Sequence, residues 1–342
     1  MSLRLQAPSQ GRCPAGRARL APRARSIIIL NAASDRRAVL ITGTSTGIGK
    51  TTALYLARKG WQVFAGVRRS ADGEALVAEA EAMDADEEGD VPYEPGCVVP
   101  LQLDVTNSAS TAGAVGMLKA KLGDRNLSGL VNNAGKGVFL PLEIMPPDVF
   151  DDVMAVNVTG VVRVTQAALP LLRKSRPDQQ PGRIVNIGSY AGSIALPLFG
   201  AYAASKFALE ALSDTMRYEL GPRWGIRTSL IKASGVRTPI WDKSLGASRQ
   251  FMAVLEEPAL QPYNSMCEEI MDLAQQADEN GISPEEVAET VAHALSSPSP
   301  QTRYLIGNGA WLQMTARRLL PDWVWDKLLL TKLRRTNKPA DE

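Results

Sequence analysis

Short apolar runs alternate with longer amphipathic stretches along most of this 342-residue chain. The pattern begins with an apolar run at Ala38–Thr42, a glycine-rich turn, a helical stretch at Lys50–Lys59 and a second apolar run at Trp61–Val67. Strands that alternate with helices in this way indicate βαβ units and a parallel sheet. Further strands are predicted at residues 98–103, 129–131, 183–187, 226–231 and 302–306. We therefore expect an α/β fold with a doubly wound parallel sheet, in a single domain over residues 38–309.

Two other stretches depart from this simple alternation. The helical pattern at Asp148–Leu172 contains Asn157 near its middle, where an asparagine is locally unfavourable, so its side chain is either solvated or used. The segment Gly235–Tyr263 is long and rich in Met, Trp and Phe, and it is expected to form an irregular, mobile lid.

Residues 310–342 form an amphipathic C-terminal extension. The tryptophans and leucines of Ala310–Leu333 are expected to face the crevice and to form a wall of an apolar substrate pocket. Two alternatives stay open. The segment could pack as ordinary core or as a subunit contact in a homo-oligomer. It could also lie on a membrane surface through its basic amphipathic character. A membrane is the less favoured partner.

The net charge of +2 is unevenly distributed along the chain. Residues 1–37 contain eight Arg and one Asp, so the remainder is net acidic and lacks the basic field that nucleic-acid binding needs. The three cysteines, Cys13, Cys97 and Cys267, form no spaced pair, so neither a disulfide nor a metal site is expected. The single histidine, His293, lies in a helical pattern and is interpreted as structural.

The first 37 residues are rich in Arg, Ala, Pro and Ser, with no acidic residue before Asp35. This composition is typical of a transit peptide for a plastid or a mitochondrion, and without such a signal the protein would be cytoplasmic. A disordered tail or a misassigned start codon are the alternatives. No apolar run reaches the roughly eighteen residues that a membrane span requires.

The turn after the first strand, Gly43-x3-Gly47-x-Gly49, favours a dinucleotide cofactor on a Rossmann-type sheet. Glycines let the backbone approach a pyrophosphate, and the N-terminus of a helix attracts that anion. The spacing is not the Gly-x-Gly-x2-Gly of the usual fingerprint, and glycines also occur in turns only for tightness.

The end of the second strand bears on which nicotinamide cofactor is bound. A carboxylate at this point would bind the ribose hydroxyls of NAD, but Val67 stands there, followed by Arg68 and Arg69. Guanidinium groups hold a 2′-phosphate through paired hydrogen bonds, so the sequence predicts NADP(H) over NAD(H). Two surface arginines without this role are the alternative.

The candidate chemistry lies between residues 182 and 212. A predicted strand leads to Ser189, then a loop broken by Gly and Pro, then a helix that begins near Ala201. Tyr202 and Lys206 are four residues apart on this helix, so both side chains project from one face. The ammonium is expected to lower the tyrosine pKa from about 10, which prepares a proton transfer to or from an alcohol oxygen. By itself, Tyr-x3-Lys is also typical of an amphipathic residue beside a solvated charge.

Several motifs occur together in a fixed order: Thr42-Gly-Thr-Ser-Thr-Gly-Ile-Gly49, Asn132-Asn-Ala-Gly135, Asn157, Ser189 and, thirteen residues later, Tyr202-Ala-Ala-Ser-Lys206. In this order they resemble the short-chain dehydrogenase/reductase family over residues 38–309. The stretch VFAGVRRSADGEAL and the long C-terminal extension look most like its retinol and hydroxysteroid dehydrogenase branch.

The resemblance implies an enzyme that exchanges a hydride between NADP(H) and a carbonyl or secondary alcohol. It implies that Tyr202 is the acid/base, that Ser189 orients the substrate oxygen and that Lys206 lowers the tyrosine pKa. Asn157 would hold a water that links Lys206 to solvent. The cofactor would contact Gly43, Ser45, Gly47, Ile48, Gly49, Arg68, Asp104, Val105, Asn132, Ala134, Gly135, Tyr202, Lys206 and Thr238, with Asp104 near the adenine and Thr238 near the carboxamide.

One departure from the family pattern concerns the loop beside the nicotinamide. Ala233-Ser234 stands where the family usually has Pro-Gly, so the cofactor geometry or the substrate edge is expected to differ. The expected substrate is apolar, of steroid, retinoid or lipid type. The alternatives are a 3-oxoacyl thioester reductase and a non-catalytic, NADP(H)-sensing binding protein.

Overall fold

The computed structural model describes residues 36–85, 96–173, 178–253, 261–307 and 309–335. The predicted leader therefore lies outside the described residues, apart from its last two. Arg37 belongs to the body rather than to the leader, because its carbonyl accepts a hydrogen bond from the Gln62 backbone and its guanidinium stacks on Trp61.

Seven parallel strands form one sheet, in the order β3-β2-β1-β4-β5-β6-β7. This confirms the expected doubly wound parallel sheet. The order reverses between β1 and β4, and it is at the carboxyl ends of strands beside such a switch point that ligands bind. The strands are β1 Ala38–Thr42, β2 Gln62–Val67, β3 Cys97–Gln102, β4 Gly129–Asn132, β5 Arg183–Ile187, β6 Arg227–Ala233 and β7 Arg303–Ile306.

Helices connect the strands and cover both faces of the sheet. A π-helical turn at Ala155–Thr159 and 3₁₀ turns at Tyr190–Gly192 and Gln261–Tyr263 complete the regular structure. The helices are α1 Gly47–Arg58, α2 Ser70–Ala85, α3 Ser108–Leu122, α4 Pro147–Met154, α5 Gly160–Leu172, α6 Gly200–Trp224, α7 Ile240–Met252, α8 Asn264–Asn280, α9 Pro284–Ser296, α10 Ala310–Leu319 and α11 Asp322–Arg335.

The sheet separates two apolar cores. In β1, Val39 and Ile41 face the core formed with α1 and α9, whereas Ala38 and Leu40 face the core formed with α3, α5 and α6. Side chains alternate between the faces of a strand, so a strand buried on both sides reads as a continuous apolar run. That is why the parallel strands were visible in the sequence.

The run of α4, the π-helical turn and α5, Pro147–Leu172, is long and apolar enough to cross a membrane by length and composition alone. No such run was expected from the sequence. Its apolar residues Val153, Val161 and Val164 are buried in the protein cores. The run therefore packs as a core helix.

Two expectations for the C-terminal half are wrong. The segment Gly235–Tyr263 is not irregular, because α7 occupies 13 residues of it; residues 254–260 lie outside the described residues. The tryptophans at the C-terminus do not line a crevice, since Trp311 and Trp323 are largely exposed to solvent. The cause in both cases is tertiary packing, which a hydrophobic pattern alone does not contain.

Candidate active site

Helix α6 brings Tyr202 and Lys206 to the carboxyl end of β5. The Lys206 side chain is only 5% exposed, and its Nζ donates a hydrogen bond of 2.8 Å to the carbonyl oxygen of Ile187, the last residue of β5. Nζ lies 5.6 Å from the centroid of the Tyr202 ring. Burial disfavours the charged ammonium and lowers the Lys206 pKa from its ordinary value of 10.5 to about 8.

Ser189 follows β5 after one glycine and is the N-cap of the 3₁₀ turn. Its Oγ accepts a hydrogen bond of 3.1 Å from the backbone N–H of Ala191, which fixes the hydroxyl at the edge of the sheet. A second hydrogen bond joins Ser189 to Tyr202. The two hydroxyls can therefore face one substrate oxygen.

The Tyr202 pKa is raised, and not lowered as the sequence analysis expected. Burial of the phenol is the larger effect, and the hydrogen bond from Ser189 acts in the opposite direction. Part of the ring nonetheless stays exposed, so a ligand can reach it. The hydroxyl is thus protonated at neutral pH, which is the form that can donate to a carbonyl oxygen.

Asn157 lies in the π-helical turn between α4 and α5, and its side chain is used rather than solvated. Its Oδ1 accepts from the backbone N–H of Lys136, and its Nδ2 donates to the Lys136 carbonyl and to Ser205 Oγ, each at 2.9 Å. A π-helical turn widens the helix locally and is frequent at functional sites. A Cβ at Gly135 would lie 3.5 Å from Asn157 Oδ1 and 3.9 Å from Lys206 Nζ. Both groups therefore converge on this glycine.

The glycines of the turn after β1 are required by close backbone approach. Gly43 has a φ of +70°, and a Cβ there would lie 2.8 Å from the Cα of Ala134. A Cβ at Gly49 would lie 2.3 Å from Asn133 Nδ2. Asn133 Nδ2 in turn donates to the carbonyls of Thr42 and Gly43. The turn is consequently locked against the loop that follows β4.

The N-terminus of α1 fits a pyrophosphate. Thr46 at the N-cap makes no side-chain cap, and the first turn of the helix contains no acidic residue. The first N–H groups and the positive end of the helix dipole are therefore available to an anion. Lys243 of α7 adds a cation here, because its Nζ donates 2.7 Å to Thr46 Oγ1.

The arginines after β2 differ in their partners. Arg69 forms two hydrogen bonds with Asp72, at 3.0 and 2.6 Å, and this contact lowers the Asp72 pKa. Arg68 is exposed beside the same carboxylate and also lies near Asp104. The Asp104 pKa is lowered, chiefly by hydrogen bonds from the Thr106 side chain and backbone. Arg68 thus remains better placed than Arg69 to meet a phosphate.

The structure separates the remaining predicted cofactor residues into two groups. Thr238 packs over the turn, since a Cβ at Gly47 would lie 3.3 Å from the Thr238 Cβ, and Ser45 is partly exposed beside it. In contrast, the Asn132 side chain is buried and donates to Thr165 and Asn186, so only its backbone could face a cofactor. Three further predicted residues have side chains directed at the cores, and only their backbones remain for a ligand: Ile48, Val105 and Ala134.

Comparisons with known proteins agree with this geometry. A profile of the short chain dehydrogenase family matches residues 37–248. The chain belongs to the short-chain dehydrogenase family. Mitochondrial D-beta-hydroxybutyrate dehydrogenase of Rattus norvegicus is 31% identical over 309 residues, 87% of this chain and 85% of that protein. Estradiol 17-beta-dehydrogenase 2 of Mus musculus is 34% identical over 305 residues, 86% and 74% of the two chains.

Solved structures show the same fold. A short-chain dehydrogenase from Streptomyces avermitilis superposes with a TM-score of 0.63 at 24% identity, over 90% of this chain and 99% of the other.

In this short-chain dehydrogenase, several supporting polar residues had been missed in the sequence. Thr42 Oγ1 accepts from the backbone N–H groups of Asn133 and Ala134, each at 3.0 Å. Asn186 is fully buried in β5, where it accepts from Asn132 and donates to Ser213. The available signal was a polar residue inside an otherwise apolar strand, which usually requires internal hydrogen bonds.

Ala233-Ser234, which replaces the usual Pro-Gly at the end of β6, packs against the end of β7. A Cβ at Gly307 would lie 1.7 Å from Ser234 Oγ, so the serine side chain fills space that a glycine at position 307 leaves open. The Ser234 backbone also donates to the Ile306 carbonyl at 3.0 Å. The loop is therefore held to β7 despite the altered sequence.

An aromatic cluster, Phe139, Phe199 and Trp241, borders Tyr202. The Phe139 and Phe199 ring centroids are 4.3 Å apart, and Trp241 lies 5.9 Å from Phe139. The Phe199 centroid is 6.3 Å from that of Tyr202. Helix α7 is fixed over this cluster by Ser248, whose Oγ accepts from the Phe139 backbone at 2.9 Å. One side of the candidate acid/base is therefore apolar.

Proposed function

We propose that this protein transfers a hydride between NADP(H) and the carbonyl or secondary alcohol of an apolar substrate. The observation that carries the proposal is the position of Tyr202, which lies beside Ser189 and the buried Lys206 and also borders the aromatic cluster. When bound, the nicotinamide would supply the redox chemistry, and the protein would orient the reactants and move the proton.

Tyr202 would give its hydroxyl proton to the substrate oxygen during carbonyl reduction, while Ser189 donates a hydrogen bond to the same oxygen. The raised Tyr202 pKa supports the reductive direction at neutral pH, because the acid form is then the populated one. Oxidation of an alcohol needs the phenolate as base and is expected to accelerate as the pH rises.

Lys206 and Asn157 would replenish that proton. Both face the space beside Gly135, and Asn157 is held rigidly there by Lys136 and Ser205. A water hydrogen-bonded to Asn157 would connect the ammonium with solvent. The lowered Lys206 pKa of about 8 supports a role in proton exchange, since such a group changes charge near physiological pH.

Cofactor preference would depend on Arg68. The chain has no carboxylate at Val67 for the ribose hydroxyls, and the Arg69 guanidinium is already paired with Asp72. Arg68 and Lys243 both act electrostatically on Asp72, so both cations lie on the side of the turn where a 2′-phosphate would be bound. This supports NADP(H) over NAD(H).

The apolar substrate class follows from the surroundings of Tyr202. Trp241 is only partly buried and packs against the buried Phe199, so its ring can offer apolar surface to a ligand, and binding pockets are mostly apolar with a few placed polar groups. The name of the mouse relative indicates a steroid substrate, and that of the rat relative a small hydroxy acid. Of these two classes, the aromatic cluster favours the larger apolar one.

A turnover screen with purified protein tests the proposal. The oxidation of NADPH and of NADH is followed by absorbance with steroid, retinoid, 3-oxoacyl thioester and 3-oxobutyrate substrates. We expect the highest kcat/KM with NADPH and a bulky apolar carbonyl. A preference for the thioester would instead identify a 3-oxoacyl reductase. Tight NADPH binding without any turnover would identify a cofactor-sensing protein.

We also propose mitochondrial or plastid import through the arginine-rich residues 1–36, and assembly into a homo-oligomer. The first rests on composition and on a mitochondrial relative. The second is supported by Phe207 and Tyr218, two aromatic residues of α6 that are exposed in the single chain. Light scattering coupled to size exclusion measures the oligomeric state, and a monomer at all concentrations would reject the second proposal.

A further inference from the structure

The two C-terminal helices carry an unusual concentration of exposed apolar surface. Among the described residues, ten large hydrophobic side chains are exposed, and six of them lie between residues 311 and 330. The four most exposed of these define the C-terminal patch: Trp311 at 70%, Leu312 at 66%, Leu319 at 77% and Trp323 at 72%. Contiguous exposed apolar surface marks an interaction site.

Helix α10 has an inner and an outer face, and the patch lies on the outer one. Ala310 is buried, and Gln313 Oε1 accepts a hydrogen bond of 2.6 Å from Tyr190 Oη in the turn that follows Ser189. These contacts hold the inner face to the body. Leu312 and Leu319 are seven residues apart and share the opposite face, which points to solvent.

Helix α11 continues the surface and is fixed relative to α10. Arg317 of α10 forms a salt bridge of 2.9 Å with Asp322, the first residue of α11, and its guanidinium lies 6.0 Å from the Trp325 ring. Trp323, in the first turn of α11, is thereby placed next to the end of α10. The C-terminal patch is therefore formed by two helices that are held together by direct contacts.

The charge of this segment decides which partner fits. Residues 310–335 contain six basic and two acidic residues, and α10 has no acidic residue. One of the two acids, Asp322, is already paired with Arg317. Arg318 and Lys327 are exposed beside the apolar residues. A second copy of the patch would bring like charges together, whereas an anionic lipid surface complements them.

The residue types agree with a lipid interface. Tryptophan rings are enriched at the boundary between headgroups and acyl chains, where one end is apolar and the other is wet. An amphipathic helix with Trp and Leu on one face and basic residues beside them lies in the plane of that boundary. We propose that α10 and α11 dock the protein on the surface of an anionic membrane, without spanning it.

Vesicle sedimentation with the full-length protein tests this proposal. Vesicles of phosphatidylcholine are compared with vesicles that also contain phosphatidylserine, in the absence of cofactor and substrate. The test variant is Trp311→Gln with Trp323→Gln, and Met117→Gln is the control, because it removes an exposed apolar side chain outside the patch. All proteins keep the basic leader, so differences between them report the patch.

We expect the wild type and Met117→Gln to bind the phosphatidylserine vesicles and the double tryptophan variant to bind at least about ten-fold more weakly. Arg318→Gln with Lys327→Gln should weaken binding about five-fold for each charge removed, and only on the anionic vesicles. Circular dichroism and the kcat for a small soluble carbonyl should not change in the patch variants.

Two outcomes would overturn the inference. If the tryptophan variant binds vesicles as well as the wild type, lipid contact does not use the patch. If the same variant changes the oligomeric state and no protein binds lipid, the patch is a contact between copies of the chain. Neither readout depends on turnover, so the result is independent of the proposed reaction.

Discussion

Lys232 of β6 forms an ion pair with Glu210 of α6, the helix that also carries Tyr202 and Lys206. Their side chains are only 4% and 16% exposed. Lys232 Nζ also contacts Ser193 Oγ, at the end of the turn that begins with Ser189. One buried ammonium thus joins β6, helix α6 and the turn that follows Ser189.

Replacement of Lys232 by Met is expected to destabilise the protein by roughly 3 kcal/mol, because removing one partner of a buried pair leaves the other uncompensated. Arg303 still pairs with Glu210, which keeps the loss at the lower end of that range. Urea unfolding measures the stability. A decrease of kcat at saturating substrate would show that Ser189 has been displaced. Lys232→Met with Glu210→Gln should recover part of the stability; no recovery would show that the pair is not coupled.

Tyr202→Phe is expected to reduce kcat by at least about a hundred-fold, the usual contribution of a general acid. Only the hydroxyl is lost, so cofactor affinity and the unfolding midpoint should be nearly unchanged. Tyr190→Phe is the matched control, since its hydroxyl bonds Gln313 and has no role in the proposed chemistry. Activity above about one hundredth of wild type would contradict the acid/base role.

The buried Lys206 predicts a stability change with pH. Its pKa is about 8 in the folded protein and 10.5 ordinarily, so between these values the unfolded chain binds more protons than the folded one. Stability therefore rises with pH through this window, by roughly 2 kcal/mol between pH 8 and 9.5 for this group. Denaturant unfolding of wild type and Lys206→Met at both pH values measures it. An equal pH dependence in the two proteins would refute the assignment.

Arg68→Ala is expected to weaken NADPH binding about ten-fold or more, the scale of a charge-assisted hydrogen bond, with little effect on NADH. Arg69→Ala is the control and should have a smaller effect, because that guanidinium is paired with Asp72. Fluorescence titration of both cofactors gives the affinities. Equal losses for NADPH and NADH would mean that Arg68 does not contact the 2′-phosphate.

A protein that begins at Arg37 is expected to keep the kcat/KM of the full chain. The body starts with the stacking of Arg37 on Trp61, which this truncation preserves. A fluorescent fusion of residues 1–36 should enter a plastid or a mitochondrion, because of its arginine-rich, acid-poor composition. A cytosolic fusion would reject targeting, and a loss of activity in the truncated protein would reject dispensability.

The sequence was most informative where local pattern and burial agree. The parallel strands are buried on both faces, so their apolar runs were unambiguous. The four-residue spacing of Tyr202 and Lys206 places both side chains on one face of any helix, and the two residues do lie on one helix, α6, which begins at Gly200. A further local signal was Ser283 before Pro284, which is typical of a helix N-cap; Ser283 caps α9 and forms a capping box with Glu286.

What the sequence did not predict depends on tertiary contacts. Helix α7 mixes large apolar residues with small and charged ones, and it is held by contacts such as Ser248 with the Phe139 backbone. The direction of the Tyr202 pKa depends on how far the phenol is buried, and not only on a nearby lysine. The exposure of Trp311 could not be read from hydrophobicity, which favours burial for any tryptophan.

The adjacency of β1 and β4 has a consequence for how the chain folds. Thr42 at the end of β1 receives its hydrogen bond from Asn133, 91 residues later in the chain. Closing so long a loop costs conformational entropy before the contact is made, and such distant pairings slow folding. Each half of the chain can begin to build its own strands and helices before the halves meet. The candidate active site lies where the two halves meet, so it is expected to form among the last parts of the molecule.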